Sequence, residues 1–344
     1  MKKIKKSVKI IIAIALVIVL LLSSGVIFYL SKLNLIKFSN GKFTWSGSPD
    51  MSDSETLDEE SRMNEAIADL EEKDAIDATG EIYKDKRFLN ILLIGTDERA
   101  ESFSENARGD SCMIMSIGKK DGSLKLASLE RGMGVPILEG KYKGQYDWLT
   151  HTFRYGGADL MMREVRECFK VDVERYIRVN FTTFKKGIDS VGGIDITLTA
   201  AEATYVNGET KRKTYTAGTN HLDSTAALAY ARCRHIDSDW HRIERQRNVI
   251  QAVVTKTKDL SVGELNALLN NVLPLVQTNL TRLEITELLL SAPKYRGVEI
   301  KQMTVPISGS YGGMRGLGGR SLFSVDFDTN AKALREFIYG VTTE

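Results

Sequence analysis

The chain has 344 residues, of which 42% are hydrophobic and 27% are charged, and its formal net charge is +2. These proportions exclude a wholly disordered chain but do not select a fold. The charge is unevenly spread, because residues 1–85 hold 11 basic and 14 acidic residues and the rest of the chain is therefore basic. A basic domain suits an anionic ligand. No dense Lys and Arg run with interleaved aromatic residues follows residue 90, so nucleic acid is not a predicted partner.

The N-terminus has the pattern of a membrane anchor. A basic head at residues 1–9 precedes an uncharged, mostly aliphatic stretch at residues 10–30. About 20 apolar residues can cross a bilayer as a helix. The basic head is predicted to stay in the cytoplasm, which places everything after residue 30 on the extracytoplasmic face. A cleaved signal peptide is the alternative, but apolar residues continue beyond the small residues Ser23 and Ser24, which favours a retained single-pass helix.

The next segment, residues 31–85, is acidic and rich in Ser, Asp and Glu between residues 46 and 80. This composition predicts an extracytoplasmic linker or stalk. A helix is possible over residues 60–73, with Met63, Ala66, Ile67 and Leu70 on one side. The folded domain is predicted to begin near Lys86 and to extend over residues 86–344.

Within that domain, strand-like and helix-like segments alternate along the chain. Strands are predicted at residues 89–94, 113–117, 124–129, 176–181, 194–198 and 298–305. Helices are predicted at residues 159–169, 184–191, 222–229, 240–258, 262–275, 285–292 and 330–339. This mixture indicates an α/β or α+β layered sandwich. The Gly-rich residues 309–319 lack the Lys and Ser/Thr of a phosphate-binding loop and are predicted to form a surface loop.

Cysteine and histidine patterns do not indicate a metal site. Cys112, Cys168 and Cys233 form no Cys-x-x-Cys pair, which argues against zinc. A Cys112–Cys233 disulfide stays open at this stage, because such a bond depends on Cα proximity. The four histidines lack metal-ligand spacing, so structural roles are expected for them.

Arginines and aspartates recur in four clusters, at residues 95–99, 108–111, 128–131 and 230–246. If the backbone around Cys233 is extended, Arg232 and Arg234 point to the same side, where an anion between them would relieve their repulsion. The planar guanidinium group matches phosphate oxygens and stays charged. Two surface arginines paired with Asp237 and Asp239 are the alternative.

The helix that opens near Ser238 adds a second polar group. Asp239, Arg242, Arg245 and Gln246 are spaced by three or four residues, which predicts a shared face. A helix N-terminus also favours anions. A salt-bridged, solvent-facing surface is the alternative interpretation.

Asp97 and Asp110 are the candidate metal ligands. Each lies next to an apolar run, where loops meet the edge of a predicted sheet. Magnesium is usually held in proteins by one or two carboxylates together with substrate phosphates. Capping or turn roles for these aspartates are the alternative.

Six segments, in this order, resemble the LytR-CpsA-Psr family of cell-wall ligases. They read LLIGTDER at 92–99, RGDS at 108–111, HTFRYGGADL at 151–160, VNFTTF at 179–184, DSVGGIDI at 189–196 and ALAYARCRHIDSDWHRIERQR at 227–247. The resemblance covers roughly half of the chain, and the last segment is its most specific part.

The resemblance implies an α/β/α sandwich around a central mixed β-sheet, with a tunnel for a polyprenyl chain. It implies transfer of an anionic glycopolymer from a polyprenyl-pyrophosphate carrier to a peptidoglycan sugar hydroxyl, assisted by Mg²⁺ or Mn²⁺. The metal would be held by Asp97 and Asp110. The residues predicted to bind the pyrophosphate are Arg99, Arg232, Arg234, Arg245 and Gln246. The residues predicted to act in catalysis are Arg108, Arg131, Asp239 and Arg242, with Asp239 as the candidate base.

The chain departs from the family pattern at two places. The family often has Pro-Arg-Asp where this chain has Glu130, Arg131 and Gly132, so one aspartate is missing. An asparagine common before the Gly-Gly motif is replaced by Thr150 or His151. Two other functions stay open at this stage: hydrolysis of the polyprenyl pyrophosphate, and a non-catalytic role as a cell-envelope regulator or lipid-binding module.

Overall fold

The computed structural model describes residues 31–39, 54–98, 103, 107–234 and 236–341. The predicted head at 1–9 and anchor at 10–30 lie outside these residues. Within the described part of the chain, no helix has the length and apolar character needed to cross a bilayer.

A seven-stranded mixed sheet forms the centre of the fold. Its strands are β1 (Lys37–Phe38), β2 (Phe88–Thr96), β3 (Ser111–Gly118), β4 (Leu124–Leu129), β7 (Arg175–Asn180), β10 (Gln277–Thr278) and β11 (Ile300–Val305). Their order is β1-β10-β7-β2-β3-β4-β11. β2 is parallel to β7 and antiparallel to β3, and β4 is parallel to β11. Within the described residues, three two-stranded antiparallel sheets lie outside it: β5 (Gly134–Pro136) with β6 (Tyr146–Trp148), β8 (Ile194–Leu198) with β9 (Gly218–Leu222), and β12 (Tyr311–Arg315) with β13 (Ser321–Val325).

Helices cover both faces of the sheet. They are α1 (Ser54–Ile67), α2 (Leu149–Phe169), α3 (Phe181–Ser190), α4 (Ala200–Thr210), α5 (Ser224–Arg232), α6 (Asp239–Lys256), α7 (Val262–Val272), α8 (Arg282–Ser291) and α9 (Phe327–Tyr339). On one face, residues of α1, α2 and α9 pack in one core with Leu92 and Ile114. On the other face, α6 and α8 pack against the opposite side chains of β2, β3 and β4. The predicted layered arrangement with a mixed central sheet is therefore confirmed.

All six predicted strands are present, with β2, β3, β4, β7, β8 and β11 at the expected places. β2 and β3 read as apolar runs because helices cover both of their faces. The prediction of a surface loop at 309–319 is wrong, because this stretch contains β12. A Cβ on Gly312 would lie 2.7 Å from the Glu71 carbonyl oxygen. Glycine is required there by close backbone packing, a role that its sequence context did not reveal.

The folded part begins earlier than the boundary near Lys86 that the sequence suggested. Met63 and Ile67 of α1 are buried in the main core. The following segment runs along the domain, with backbone hydrogen bonds from Ile76 to Val325 and from Tyr83 to Lys170. The acidic residues between 69 and 81 are exposed, so an acidic composition does not distinguish a flexible linker from a segment that packs on the domain with one side.

The three cysteines are free thiols, and all are buried. The disulfide that sequence left open between Cys112 and Cys233 is absent from the structure. Burial raises the pKa of Cys112 far above its ordinary value, which keeps this thiol protonated and unreactive.

The buried carboxyl of Glu164 on α2 should make the free energy of unfolding depend on pH. Burial raises the pKa of its carboxyl to about 8, whereas the pKa of a glutamate in an unfolded chain is about 4.3. The folded state keeps a proton that the unfolded chain releases, so the free energy of unfolding falls as pH rises between these values. We expect Glu164→Gln to remove a slope of about 1.4 kcal/mol per pH unit.

Urea unfolding at about pH 5 and about pH 7.5 measures this effect, because the window lies between the two pKa values. Equal pH dependence in the wild type and the variant would contradict the prediction.

Candidate active site

A cavity of about 430 Å³ opens on the α6 side of the sheet. Its wall is largely apolar, and its polar residues include three arginines. The apolar lining includes Leu93, Ile94, Met113, Ile177, Val179, Phe181, Phe184, Leu228, Ala231 and Ile250. The charged and amide residues that line it are Glu59, Asp97, Asp110, Asn180, Glu209, Arg232, Arg234, Arg242 and Gln246. A cavity with an apolar wall and a cluster of arginines suits a ligand that has an apolar chain and an anionic head.

Two aspartates reach the cavity from the C-terminal end of β2 and the N-terminal end of β3. Asp97 and Asp110 both line it, and Arg108 lies buried between them. The backbone N–H of Arg108 donates to Asp97 Oδ1 at 3.3 Å, and its guanidinium lies 3.4 Å from Asp97 Oδ2. The same guanidinium is 3.8 Å from Asp110 Oδ1. Arg108 therefore holds the two carboxylates together rather than facing the cavity itself.

A second ion-pair network lies where β4 ends and α6 begins. Arg131 follows β4 and donates to Asp239 Oδ2 at 3.2 Å and to Glu59 Oε1 at 2.5 Å. Arg242, on the first turns of α6, donates to the same Asp239 oxygen at 2.8 Å. Burial favours the neutral form of Asp239, but Arg131 and Arg242 together hold its pKa below the ordinary value. Asp239 is consequently a weak proton acceptor and a strong orienting group for both arginines.

Arg232 and Arg234 both line the cavity, but the condition set from the sequence, an extended backbone that carries both arginines, does not hold at Arg232, which is helical. Arg232 is the last residue of α5 and lies over the Phe181 ring, 4.9 Å from its centroid. Cys233, which caps the helix, has an extended backbone. Arg234 follows it and lies 3.2 Å from Asp58 Oδ2 and 3.5 Å from Glu59 Oε1. The two arginines meet at the cavity because the helix ends there, not because they alternate along a strand.

The four-residue face predicted on α6 is only partly correct. Asp239, Arg242 and Gln246 face the site, and Gln246 accepts a hydrogen bond from Ser111 Oγ at 2.9 Å. Arg245 points elsewhere: its guanidinium donates to Glu202 Oε1 at 2.7 Å and to the Cys233 carbonyl at 2.9 Å, and it pairs with Asp237. At about 100° per residue, position 245 lies far around the helix from positions 239 and 246. Arg245 therefore anchors α6 to α4 instead of lining the cavity.

A family model described as the LytR_cpsA_psr family matches residues 52–335. The chain belongs to the LytR-CpsA-Psr family. It is 35% identical over 197 residues to the polyisoprenyl-teichoic acid–peptidoglycan teichoic acid transferase TagU of Bacillus mycoides, covering 56% of this chain and 61% of that protein. It is 33% identical over 181 residues to the corresponding transferase TagT of Bacillus subtilis, covering 51% and 55% of the two chains.

These matches span a little more than half of the length of the curated relatives. Among solved structures, a TagT bound to LIIa-WTA superimposes with a TM-score of 0.59 at 25% identity. That superposition covers 78% of this chain and 97% of the solved one. The fold and family agreement therefore extends over most of the described residues.

The positions where the chain departs from the usual LytR-CpsA-Psr pattern are occupied by packed residues. Gly132 lies against Met63 of α1, whose side chain would collide with any Cβ at this position. Glu130 is fully buried, and burial together with the nearby charge of Asp239 raises its pKa to about 8. Thr150 Oγ1 donates to the Gly109 carbonyl at 3.1 Å and ties α2 to the loop that carries Asp110.

Two carboxylates at the cavity are the groups that could hold a metal ion. Over the described ranges, no group of three or more His, Cys, Asp or Glu side chains is arranged to hold a metal ion. Asp97 and Asp110 are two hard-oxygen groups at the cavity, and Asp110 Oδ1 is buried without a hydrogen-bond partner among the residues that the structure describes. A site with two carboxylates, completed by phosphate oxygens and water, is the form that Mg²⁺ commonly takes.

Sequence reasoning missed two acidic residues of the site, and one predicted residue is not described. Asp58 and Glu59 of α1 contact Arg131 and Arg234, although their segment reads as an acidic linker. The available signal was spacing, since Glu59 precedes the buried Met63 by four residues and so shares its face. Arg99 lies outside the described residues and stays a prediction.

Proposed function

We propose that this protein transfers an anionic glycopolymer, such as a teichoic acid or a capsule chain, from a polyprenyl-pyrophosphate carrier to a peptidoglycan sugar hydroxyl. The observation that carries the proposal is the cavity whose wall combines a largely apolar lining with Arg232, Arg234 and Arg242. Membership of the LytR-CpsA-Psr family and the names of the teichoic acid transferase relatives support it. Because those relatives match over part of their length, the nature of the transferred polymer belongs to the proposal.

The lipid chain and the pyrophosphate of the proposed substrate each have a suitable group of residues in the cavity. The polyprenyl chain would lie against the apolar wall formed by residues such as Met113, Phe184 and Ile250. The pyrophosphate would contact the arginines, whose guanidinium groups bind phosphate oxygens in a bidentate manner. Phosphoryl transfer relies mainly on positioning and on stabilisation of developing charge, which a cluster of fixed arginines supplies.

Asp97 and Asp110 would hold a divalent cation, Mg²⁺ or Mn²⁺, beside the pyrophosphate. When bound, such an ion stabilises negative charge on the phosphate oxygens. Arg108 keeps the two carboxylates adjacent, and Arg131 and Arg242 orient Asp239 towards the same region. The acceptor hydroxyl would need little beyond positioning, and Asp239, with its lowered pKa, suits hydrogen bonding to that hydroxyl better than full proton removal.

The site is proposed to operate on the extracytoplasmic face of the cell membrane. The basic head and the aliphatic residues 10–30 support a single-pass anchor with the domain outside. Wall glycan and lipid-linked polymer would then be accessible to the cavity.

A transfer assay tests the proposal. Purified protein is given a lipid-linked, labelled glycopolymer with and without peptidoglycan, and the label is followed into wall material. Transfer to peptidoglycan supports the ligase function. Release of the polymer phosphate into water even when peptidoglycan is present would indicate a hydrolase, and absence of any turnover would indicate a binding or regulatory protein.

Metal dependence follows from the two aspartates. We expect Asp110→Asn to reduce transfer by roughly a hundredfold at limiting Mg²⁺, because one of two carboxylate ligands is lost. Chelation should abolish transfer by the wild type, and added Mg²⁺ or Mn²⁺ should restore it. Asp121→Asn, an exposed turn residue outside the cavity, is the matched control. Full activity of the chelated wild type would refute a metal role for this pair.

A further inference from the structure

Helix α1 places two neighbouring carboxylates on the arginines of the site. Asp58 lies 3.2 Å from the guanidinium of Arg234, and Glu59 contacts both Arg234 and Arg131. The next residue, Glu60, turns away from the cavity and pairs with Arg320 at 2.7 Å. Of these three consecutive acidic residues, only the first two contact the arginine cluster, and they share Arg234.

Glu59 takes the position of an anion between two arginines. Its residue is only 3% exposed, and Oε1 lies 2.5 Å from Arg131 Nη1 and 3.5 Å from Arg234 Nη1. The second oxygen, Oε2, is buried and has no hydrogen-bond partner within the described part of the chain. One carboxylate oxygen shared by two guanidinium groups reproduces the contact that a phosphate oxygen makes with paired arginines.

This arrangement closes part of the arginine cluster to an incoming anion. Among the residues that line the cavity, four carboxylates accompany three guanidinium groups, and Arg131 is not among the lining residues. Arg131 is instead buried behind Glu59 and Asp239. A pyrophosphate that contacts Arg131 must therefore replace Glu59, since two anions on one guanidinium nitrogen repel each other.

The packing of α1 is of a kind that allows this helix to move away from the domain. Of the side chains described on this helix, Met63 and Ile67 supply its buried apolar contacts. Met63 fits against Gly132 because that residue has no side chain. Few buried apolar contacts are the physical mark of an element that can open while the rest of the domain stays folded.

We propose that α1 is an acidic clasp on the active site, in which Glu59 occupies the place of a substrate phosphate on Arg131 and Arg234. This inference rests on the proposed function of the cavity as a pyrophosphate site. When no substrate is bound, the carboxylate of Glu59 provides Arg131 and Arg234 with an anionic partner. Substrate binding displaces Glu59, so the apparent affinity equals the intrinsic affinity multiplied by the fraction of molecules in which the clasp is open.

Titration calorimetry with inorganic pyrophosphate, on the full chain in detergent, tests the clasp. Glu59→Gln keeps the shape of the side chain and removes its charge, and it should bind pyrophosphate about tenfold more tightly than the wild type. Glu65→Gln, which removes an exposed carboxylate of the same helix outside the cavity, should bind as the wild type does. Unchanged or weaker binding by Glu59→Gln would overturn the clasp.

Hydrogen exchange supplies a second measurement that requires no variant. Addition of pyrophosphate to the wild type should speed amide exchange in residues 54–67, because the helix leaves its seat. Slower exchange there would overturn the proposal. If wild type and Glu59→Gln both fail to bind pyrophosphate, the anion site and the proposed function fall together with the clasp. If both bind equally, the proposed function stands and the clasp alone is overturned.

Discussion

Replacement of Arg232 by alanine is expected to lower glycopolymer transfer by roughly tenfold to a hundredfold while leaving the fold unchanged. Arg232 is exposed at the end of α5, and its side chain lies over the Phe181 ring on the cavity wall. Loss of one charge-assisted contact to a phosphate removes about 1.5–3 kcal/mol, which corresponds to this change in rate. The stacking contact at an exposed site contributes only about 0.5–1 kcal/mol to stability.

Transfer rate and thermal unfolding are both measured on Arg232→Ala. The matched control is Arg212→Ala, which removes another exposed arginine, one that pairs with Asp223 outside the cavity. The control should retain transfer. Full transfer by Arg232→Ala would remove this residue from the anion site, whatever the unfolding curves show.

The largest effect on stability is expected from Arg131→Met. Arg131 is 7% exposed and pairs with both Glu59 and Asp239. Methionine fills a similar volume but removes one arginine from each of two carboxylates, so that Glu59 keeps only Arg234, at 3.5 Å, and Asp239 keeps only Arg242, at 2.8 Å. Breaking a buried ion pair in this way costs about 3–5 kcal/mol, and we therefore expect Arg131→Met to unfold at clearly lower urea concentration than the wild type.

A double-mutant cycle separates this cause from general damage to packing. Adding Glu59→Gln to Arg131→Met removes the charge of one of the two carboxylates that lost Arg131, so it should recover about 1–2 kcal/mol of the lost stability. Strictly additive losses in the double variant would show that Glu59 and Arg131 are not coupled. Arg131→Lys, which keeps the charge but not the planar geometry, should lie between the wild type and Arg131→Met in stability.

Local patterns in the sequence predicted much of the fold because their causes are local. The apolar runs that became β2, β3 and β4 are buried on both faces, and the long helix α6 was expected from its periodicity. The hairpin β12–β13 escaped prediction because its strand β12 is glycine-rich, and only the packing of Gly312 against Glu71 explains why glycine is needed there. Patterns that depend on a distant neighbour leave no local signal.

Local motifs were enough to indicate the LytR-CpsA-Psr family and six of the residues that line the cavity, namely Asp97, Asp110, Arg232, Arg234, Arg242 and Gln246. Such motifs can be recognised because arginine is well suited to phosphate and carboxylates are well suited to divalent cations. Which of the predicted residues reach the cavity depends on the packing of distant segments. Arg242 and Arg245 are three residues apart on one helix, yet one lines the cavity and the other is saturated by Glu202 and Asp237. Ion pairs between distant segments set this division, since a charged side chain adopts whichever buried partner the fold brings within reach. Glu59 shows the same rule: its acidic segment reads as a linker, and only the packing of α1 places it on Arg131.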